Sequence, residues 1–299
     1  MLRSRIVLVT LSLTISVWGF AQDQSTGETA SALPDPSVAS VAAGDPNAMP
    51  VAATRDLQAI SLLAQSINVA VGHAQGWGAI QDFVATGTIT YFWAGEAVPG
   101  PATLRGRAPD QFRLDADLPD SAACVGCPGT RSYVINHGWG VLKGPDRTLA
   151  RLPFHNTVNI GILSFPYPTI AALVADPSTF INYLGAASLN GRPVYRIRMQ
   201  RRLAATTDPD GALSSLCTTD YFVDAQSSLI LRTLDLTHPD ETPLRSYAHE
   251  VEFDGYSSVN GIQFPRVVRE KVDGQTIWEV QLSTISFNVG LTDADFVLQ

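Results

Sequence analysis

From residue 82 onward the apolar positions of the chain recur every second residue. Phe83, Ala85, Gly87, Ile89, Tyr91 and Trp93 fall on one side of an extended segment, and Thr86, Thr88 and Thr90 on the other. That period is the period of a half-buried strand. The same alternation sets Phe112 and Leu114 against Arg113, and Tyr195, Ile197 and Met199 against Val194, Arg196 and Arg198. Near the end Trp278, Val280 and Leu282 point inward, then Ile285 and Phe287 take over. The slip of one residue near Thr284 predicts a β-bulge. Asn190-Gly191 and Asp273-Gly274 are turn signals, because both residue types tolerate positive φ. Further strands are predicted in 102–114, in a hairpin 131–135/138–142 around Asn136-His137, and at 249–253, 261–272 and 276–287. Residues 95–101, with two prolines and two glycines, read as a loop.

Two stretches depart from this period. Over 54–71, Leu57, Ile60, Ala64, Ile67 and Val71 recur at helical spacing with Leu63 beside them, Thr54 available as a cap and Gly72 as a stop. Over 151–185 the chain is apolar without alternation. Here Asp176-Pro177 predicts a helix start, and Phe180, Ile181 and Leu184 a short amphipathic turn closed by Gly185. Many strands with few helices predict a mainly β (α+β) fold, a curved antiparallel sheet or incomplete β-barrel with helices covering the concave side.

Composition adds a compartment and removes some chemistry. Arg3 and Arg5 precede the apolar run 6–17, which is short for a membrane span of about 20 residues. With Gly19-Phe-Ala21 after it, residues 1–21 read as a secretory signal peptide and the protein as periplasmic. Residues 22–53, rich in Ala, Ser, Pro, Asp and Gly, read as a disordered leader, which leaves 54–299 as the folded domain. The net charge of −8 argues against nucleic acid as a partner. An exported chain meets oxidising conditions, so Cys124, Cys127 and Cys217 are disulfide candidates, with at least one left over or paired between chains.

The segment Tyr221-Phe-Val-Asp-Ala-Gln-Ser-Ser-Leu-Ile-Leu-Arg232 is a strand, a turn and a strand ending in charge. With the later Gly261-Ile-Gln-Phe-Pro265 it resembles the LolA-like group of periplasmic lipoprotein carriers, the outer-membrane lipoprotein-sorting proteins. The resemblance covers roughly 82–298. It implies an incomplete barrel with a helical lid over a hydrophobic cavity, and a carrier of acyl chains from a lipoprotein or lipid. The Cys124/Cys127 loop and the leader depart from the group's pattern, so the resemblance does not carry over the identity of the cargo. Envelope regulators that bind a membrane protein partner also resemble this fold and form the alternative.

No catalytic set accompanies the pattern. There is no Gly-x-Ser-x-Gly elbow. His249-Glu250 begins like a zinc-protease motif, but Phe253 stands where the second histidine belongs, and His249 reads as a surface or edge residue. Asp115, Asp117 and Asp120 read as a solvated loop cluster, and Arg105 and Arg107 as solvated. No metal site or cofactor is expected, and the protein reads as noncatalytic. The residues expected to line an apolar cavity are Phe83, Ile89, Tyr91, Trp93, Phe112, Leu114, Tyr195, Ile197, Trp278 and Val280 from the sheet. Phe165, Ile170, Leu173 and Phe180 are expected from the lid. A slip of one residue in register would turn part of this set outward.

Overall fold

A computed structural model describes residues 53–72, 80–93, 95–119, 129–144, 148–239 and 244–298. The segment read as a signal peptide, nearly all of the segment read as a leader, and the pair Cys124 and Cys127 lie outside the described residues. All described residues belong to one compact unit, Met49–Gln299. In order come helix α1 (Leu57–Val71) and strands β1 (Asp82–Trp93), β2 (Glu96–Arg107), β3 (Gln111–Leu118), β4 (Gly129–Asn136), β5 (Trp139–Lys143) and β6 (Leu149–Leu152). Helices α2 (Phe154–Ile160) and α3 (Tyr167–Ala175), strands β7 (Phe180–Leu189) and β8 (Arg192–Gln200), and helix α4 (Ala212–Leu216) follow. The chain ends with β9 (Thr218–Asp224), β10 (Ile230–Thr237), β11 (Tyr247–Asp254), β12 (Ser257–Val259), β13 (Ile262–Phe264), β14 (Val267–Val272), β15 (Gln275–Phe287) and a 3-10 turn at Asp293–Phe296.

Thirteen of these strands form one open sheet in the order β6-β5-β4-β3-β2-β1-β15-β14-β11-β10-β9-β8-β7. Every pairing is antiparallel, and β12 with β13 makes a separate small hairpin. The sheet is strongly curled. Helix α2 packs on both β5 and β10, which stand eight places apart in the strand order. In a flat sheet they would be roughly 38 Å apart, and a helix of seven residues is only about 10 Å long. Curling brings the two limbs together under it. The slip near Thr284 is the bulge expected: Thr86 pairs with Thr284 but Gly87 with Leu282, leaving Ser283 extra.

The inner face and the helices share a single core. Ala59, Leu63, Ile67 and Ala70 of α1, and Ile170, Leu173 and Val174 of α3, pack with the inward residues of β1, β2, β3, β4, β8, β9, β11, β14 and β15. The buried stripe of α1 is thus rotated from the expected one, and Leu57 is 81% exposed. Its cap is Asp56, whose carboxylate accepts from the N–H groups of Gln58 and Ala59 at 2.8 and 3.1 Å. Thr54 does not cap because it is committed to the sheet, its carbonyl accepting the Ile181 N–H at 2.9 Å.

Other expectations are corrected. Residues 96–101 are strand rather than loop, paired with β1 from Pro101↔Thr88 to Glu96↔Trp93. Strand β3 pairs with β2 only from Ala102 onward, so Pro99 and Pro101 lie where the missing N–H leaves no ladder bond unmade. No helix follows Asp176. That residue ends α3, and its carboxylate turns back onto the Ser178 N–H and hydroxyl. The β-forming run from Phe180 pairs with β8 instead. Asp115 and Asp117 lie in β3 rather than on a loop. Asp115 holds both Arg105 and Arg113 and accepts from the Ser132 hydroxyl, and Arg107 pairs with Asp293.

Candidate functional site

Ten of the expected lining residues meet in one core, Phe83, Ile89, Phe112, Leu114, Ile197, Trp278 and Val280 from the sheet and Phe165, Ile170 and Leu173 from the cover. Tyr91 and Tyr195 pack against it from partly buried positions. Trp93 ends β1, and its side chain lies outside the described residues. Phe180 is not a lid residue. It belongs to strand β7 beside Ile181, which is fully buried, and alternation puts neighbours on opposite faces.

The cover is tied to the sheet at a few defined points. Phe165 stacks on Phe264 with ring centroids 4.7 Å apart and meets the edge of Phe83 at 5.9 Å. Gly106 leaves room for that cluster, since a Cβ there would meet the Phe83 ring at 2.3 Å. At the register shift between Ile230 and Arg232, the Tyr167 hydroxyl accepts the Ile230 N–H at 3.0 Å and the Tyr256 hydroxyl donates to the Ile230 carbonyl at 2.6 Å. Two polar groups at a bulge are thereby satisfied. Burial pushes the Tyr167 phenol up to about 12. Helix α2 clasps both limbs. The Thr157 hydroxyl donates to the Gly138 carbonyl between β4 and β5. Asn156 donates to the His238 carbonyl at 2.9 Å and accepts the His238 N–H at 3.1 Å, just after β10. Arg55 holds the end of α3, donating to the carbonyls of Val174, Asp176 and Thr179.

One end of the interior is polar. His249 is buried on the inner face of β11, not at the surface or an edge as expected. Its Nδ1 lies 2.9 Å from Asp235 Oδ2, its direct cross-strand partner, and its Nε2 lies 3.0 Å from Glu270 Oε1 of β14. Both neighbours are carboxylates, so both ring nitrogens must donate and the ring is an imidazolium. Burial opposes that charge, but Asp235 and then Glu270 outweigh it and hold the pKa well above the usual imidazole range. A signal for this did exist. His249, Val251 and Phe253 alternate together, so the periodicity that placed Phe253 inside placed His249 there too.

Between this set and the segment joining α2 to α3 lies a cavity with about 10 Å³ of space for the centre of a water-sized sphere, room for about one water molecule. Asn159, Thr169, Tyr221, Thr233, Asp235 and His249 form its polar wall, and Ile162, Leu163, Val251 and Phe253 contribute to its apolar one. Among the described residues no group of three or more histidine, cysteine or acidic side chains could hold a metal ion.

Cys217 carries a free thiol and is 1% exposed. Burial pushes it up to about 11. The expected result is that Cys217, in a Cys124→Ser/Cys127→Ser background at pH 8, reacts with a thiol reagent roughly two orders of magnitude more slowly folded than unfolded. Equal rates would mean that the thiol is open to solvent.

The fold and interior can be set beside known proteins. No protein-family model matches the chain, and no curated protein matches it. Among solved structures, an outer membrane lipoprotein-sorting protein domain from Vibrio parahaemolyticus is 15% identical at a TM-score of 0.48, over 80% of this chain and 96% of that one. A LolA superfamily protein from Nitrosomonas europaea is 10% identical at a TM-score of 0.47, over 80% and 97%. A DUF1329 family protein from Desulfovibrio piger is 14% identical at a TM-score of 0.46, over 79% and 97%.

Proposed function

We propose that this protein is a noncatalytic periplasmic carrier that takes an acyl chain of a lipoprotein or lipid between its curled sheet and its helices. The observation that carries the reading is the shared core. Seven of the residues expected to line a cavity, Phe83, Ile89, Phe112, Leu114, Ile197, Trp278 and Val280, lie on the sheet in one core with Phe165, Ile170 and Leu173 of the cover, so parting cover from sheet would expose apolar surface on both. The sequence resemblance of 221–232 and 261–265 to lipoprotein carriers supports the same reading. The interior is filled by protein side chains in this structure, so uptake requires the cover to move. Each methylene transferred contributes about 0.8 kcal/mol, and a twelve-carbon chain therefore about 9 kcal/mol before the cost of moving the helices. Its partners in this reading are the lipoprotein or lipid cargo and, transiently, membrane proteins.

Trp278 is an inner-face residue that is 2% exposed. A brominated fatty acid, which quenches indole emission on contact, should quench the wild-type protein and quench a Trp278→Phe variant much less. Extraction of the exported protein should also release an acylated compound. A protein that copurifies with no lipid and takes up no fluorescent fatty acid is not a carrier.

A further inference from the structure

The cavity at the polar end has a property that the apolar interior does not explain. Asp235 is 5% exposed and lines it. One carboxylate oxygen accepts from His249, while the other, Oδ1, is buried and has no hydrogen-bond partner. A buried carboxylate oxygen left unmatched is costly, so the site is built to receive a donor. The charges agree with this. Asp235 and Glu270 flank a single imidazolium, which leaves the set with a net negative charge. His238 also faces Asp235, and burial lowers its pKa, so it adds no cation; its ring stands 5.0 Å from that of His155. Arg131 acts on Tyr91, and Arg201 on Tyr221, which itself lines the cavity. Size narrows the choice further. Room for about one water is room for an –NH₃⁺ terminus, but a phosphate or a trimethylammonium group is several times larger.

Resting on the carrier reading, we infer that the Asp235 cavity seats a primary ammonium group of the cargo, with its acyl or alkyl chain running along the apolar wall. Ion pairing of the ammonium with Asp235 Oδ1 supplies the missing donor and neutralises the set. A carboxylate or phosphate head would meet that carboxylate with like charge.

The test is competition on the full exported chain at pH 7, with a neutral fluorescent reporter, N-phenyl-1-naphthylamine, displaced by twelve-carbon ligands kept below micelle-forming concentrations. Dodecylammonium should bind at least about tenfold more tightly than dodecanoate, a difference of about 1.4 kcal/mol. It should also outbind dodecyltrimethylammonium, which has the same charge without donors and controls for attraction to an acidic protein. Asp235→Asn should bring dodecylammonium to within about twofold of dodecanol while leaving dodecanol unchanged. The comparison of the two ammonium heads stands on the wild-type protein alone, so it decides the matter even where Asp235→Asn does not fold. Equal binding of the two ammonium heads overturns the inference and leaves the cavity as the seat of a water, with the carrier reading intact. Failure of the reporter and of dodecanol to bind overturns both.

Discussion

Replacing His249 with leucine is expected to cost about 3–5 kcal/mol of stability, the usual penalty for removing one partner of a buried ion pair. The change removes the single cation between Asp235 and Glu270 and leaves two carboxylates without a compensating charge. Two comparisons test that origin. Replacing all three of Asp235, His249 and Glu270 with leucine should cost less than His249→Leu alone, because no uncompensated charge remains. The second comparison is pH. The folded-state pKa of His249 lies well above that of the unfolded ring. Its contribution is therefore fully present below about pH 6.5, the unfolded value, and fades as pH climbs through the higher folded value. Urea midpoints of wild type and His249→Gln should converge as pH is raised from 6 toward 10. A gap that widens with pH, or a triple variant weaker than the single one, would show that packing rather than charge governs the site.

That set also marks where sequence periodicity reaches and where it stops. The alternation of Phe83–Trp93 is enough to place β1 and its inward face, because a half-buried strand must segregate its side chains. The one-residue slip at Thr284 is enough to place a bulge, because an extra residue reverses the phase. Neither rule depends on distant parts of the chain. The misreadings do. Pro99 and Pro101 look like loop residues until the partner strands are known, since only those decide which N–H groups are needed. Asp176-Pro177 offers a helix start and a tight turn alike, and the edge position of β7 beside Thr54–Asp56 selects the turn. Helix α2, Phe154-His-Asn-Thr-Val-Asn-Ile160, has no apolar period at all. Its buried face is polar because it clasps loops from two limbs of the sheet through Thr157 and Asn156, and that meeting exists only after the sheet has curled. The inward apolar face of the sheet was legible for the same reason as the strands. The Asp235–Glu270 pairing around His249 was not, because it joins three strands whose adjacency no local pattern reveals.

Phe165→Ala is expected to cost about 3–5 kcal/mol, at the level of other large-to-small changes in a closed core. The ring is fully buried and sits where the cover meets the sheet. It stacks on Phe264, meets Phe83 edge-on, and lies 5.1 Å from Tyr167 and 6.4 Å from Phe287. Phe264 of the β12–β13 hairpin and Phe83, which packs over Gly106, face the ring from two sides. Phe165→Leu keeps most of the volume and should cost less than about 1.5 kcal/mol. The two variants separate stability from gating. If Phe165 is the plug that holds the helices on the apolar wall, Phe165→Ala should take up a fluorescent fatty acid faster than the wild type even in conditions where it remains folded, because part of the cost of parting cover from sheet has been removed. Phe165→Leu should behave nearly as the wild type in both respects. A large loss of stability with an unchanged uptake rate would place the opening of the interior elsewhere, at the α2 clasp between Gly138 and His238, where Asn156→Leu would then be the variant that speeds entry.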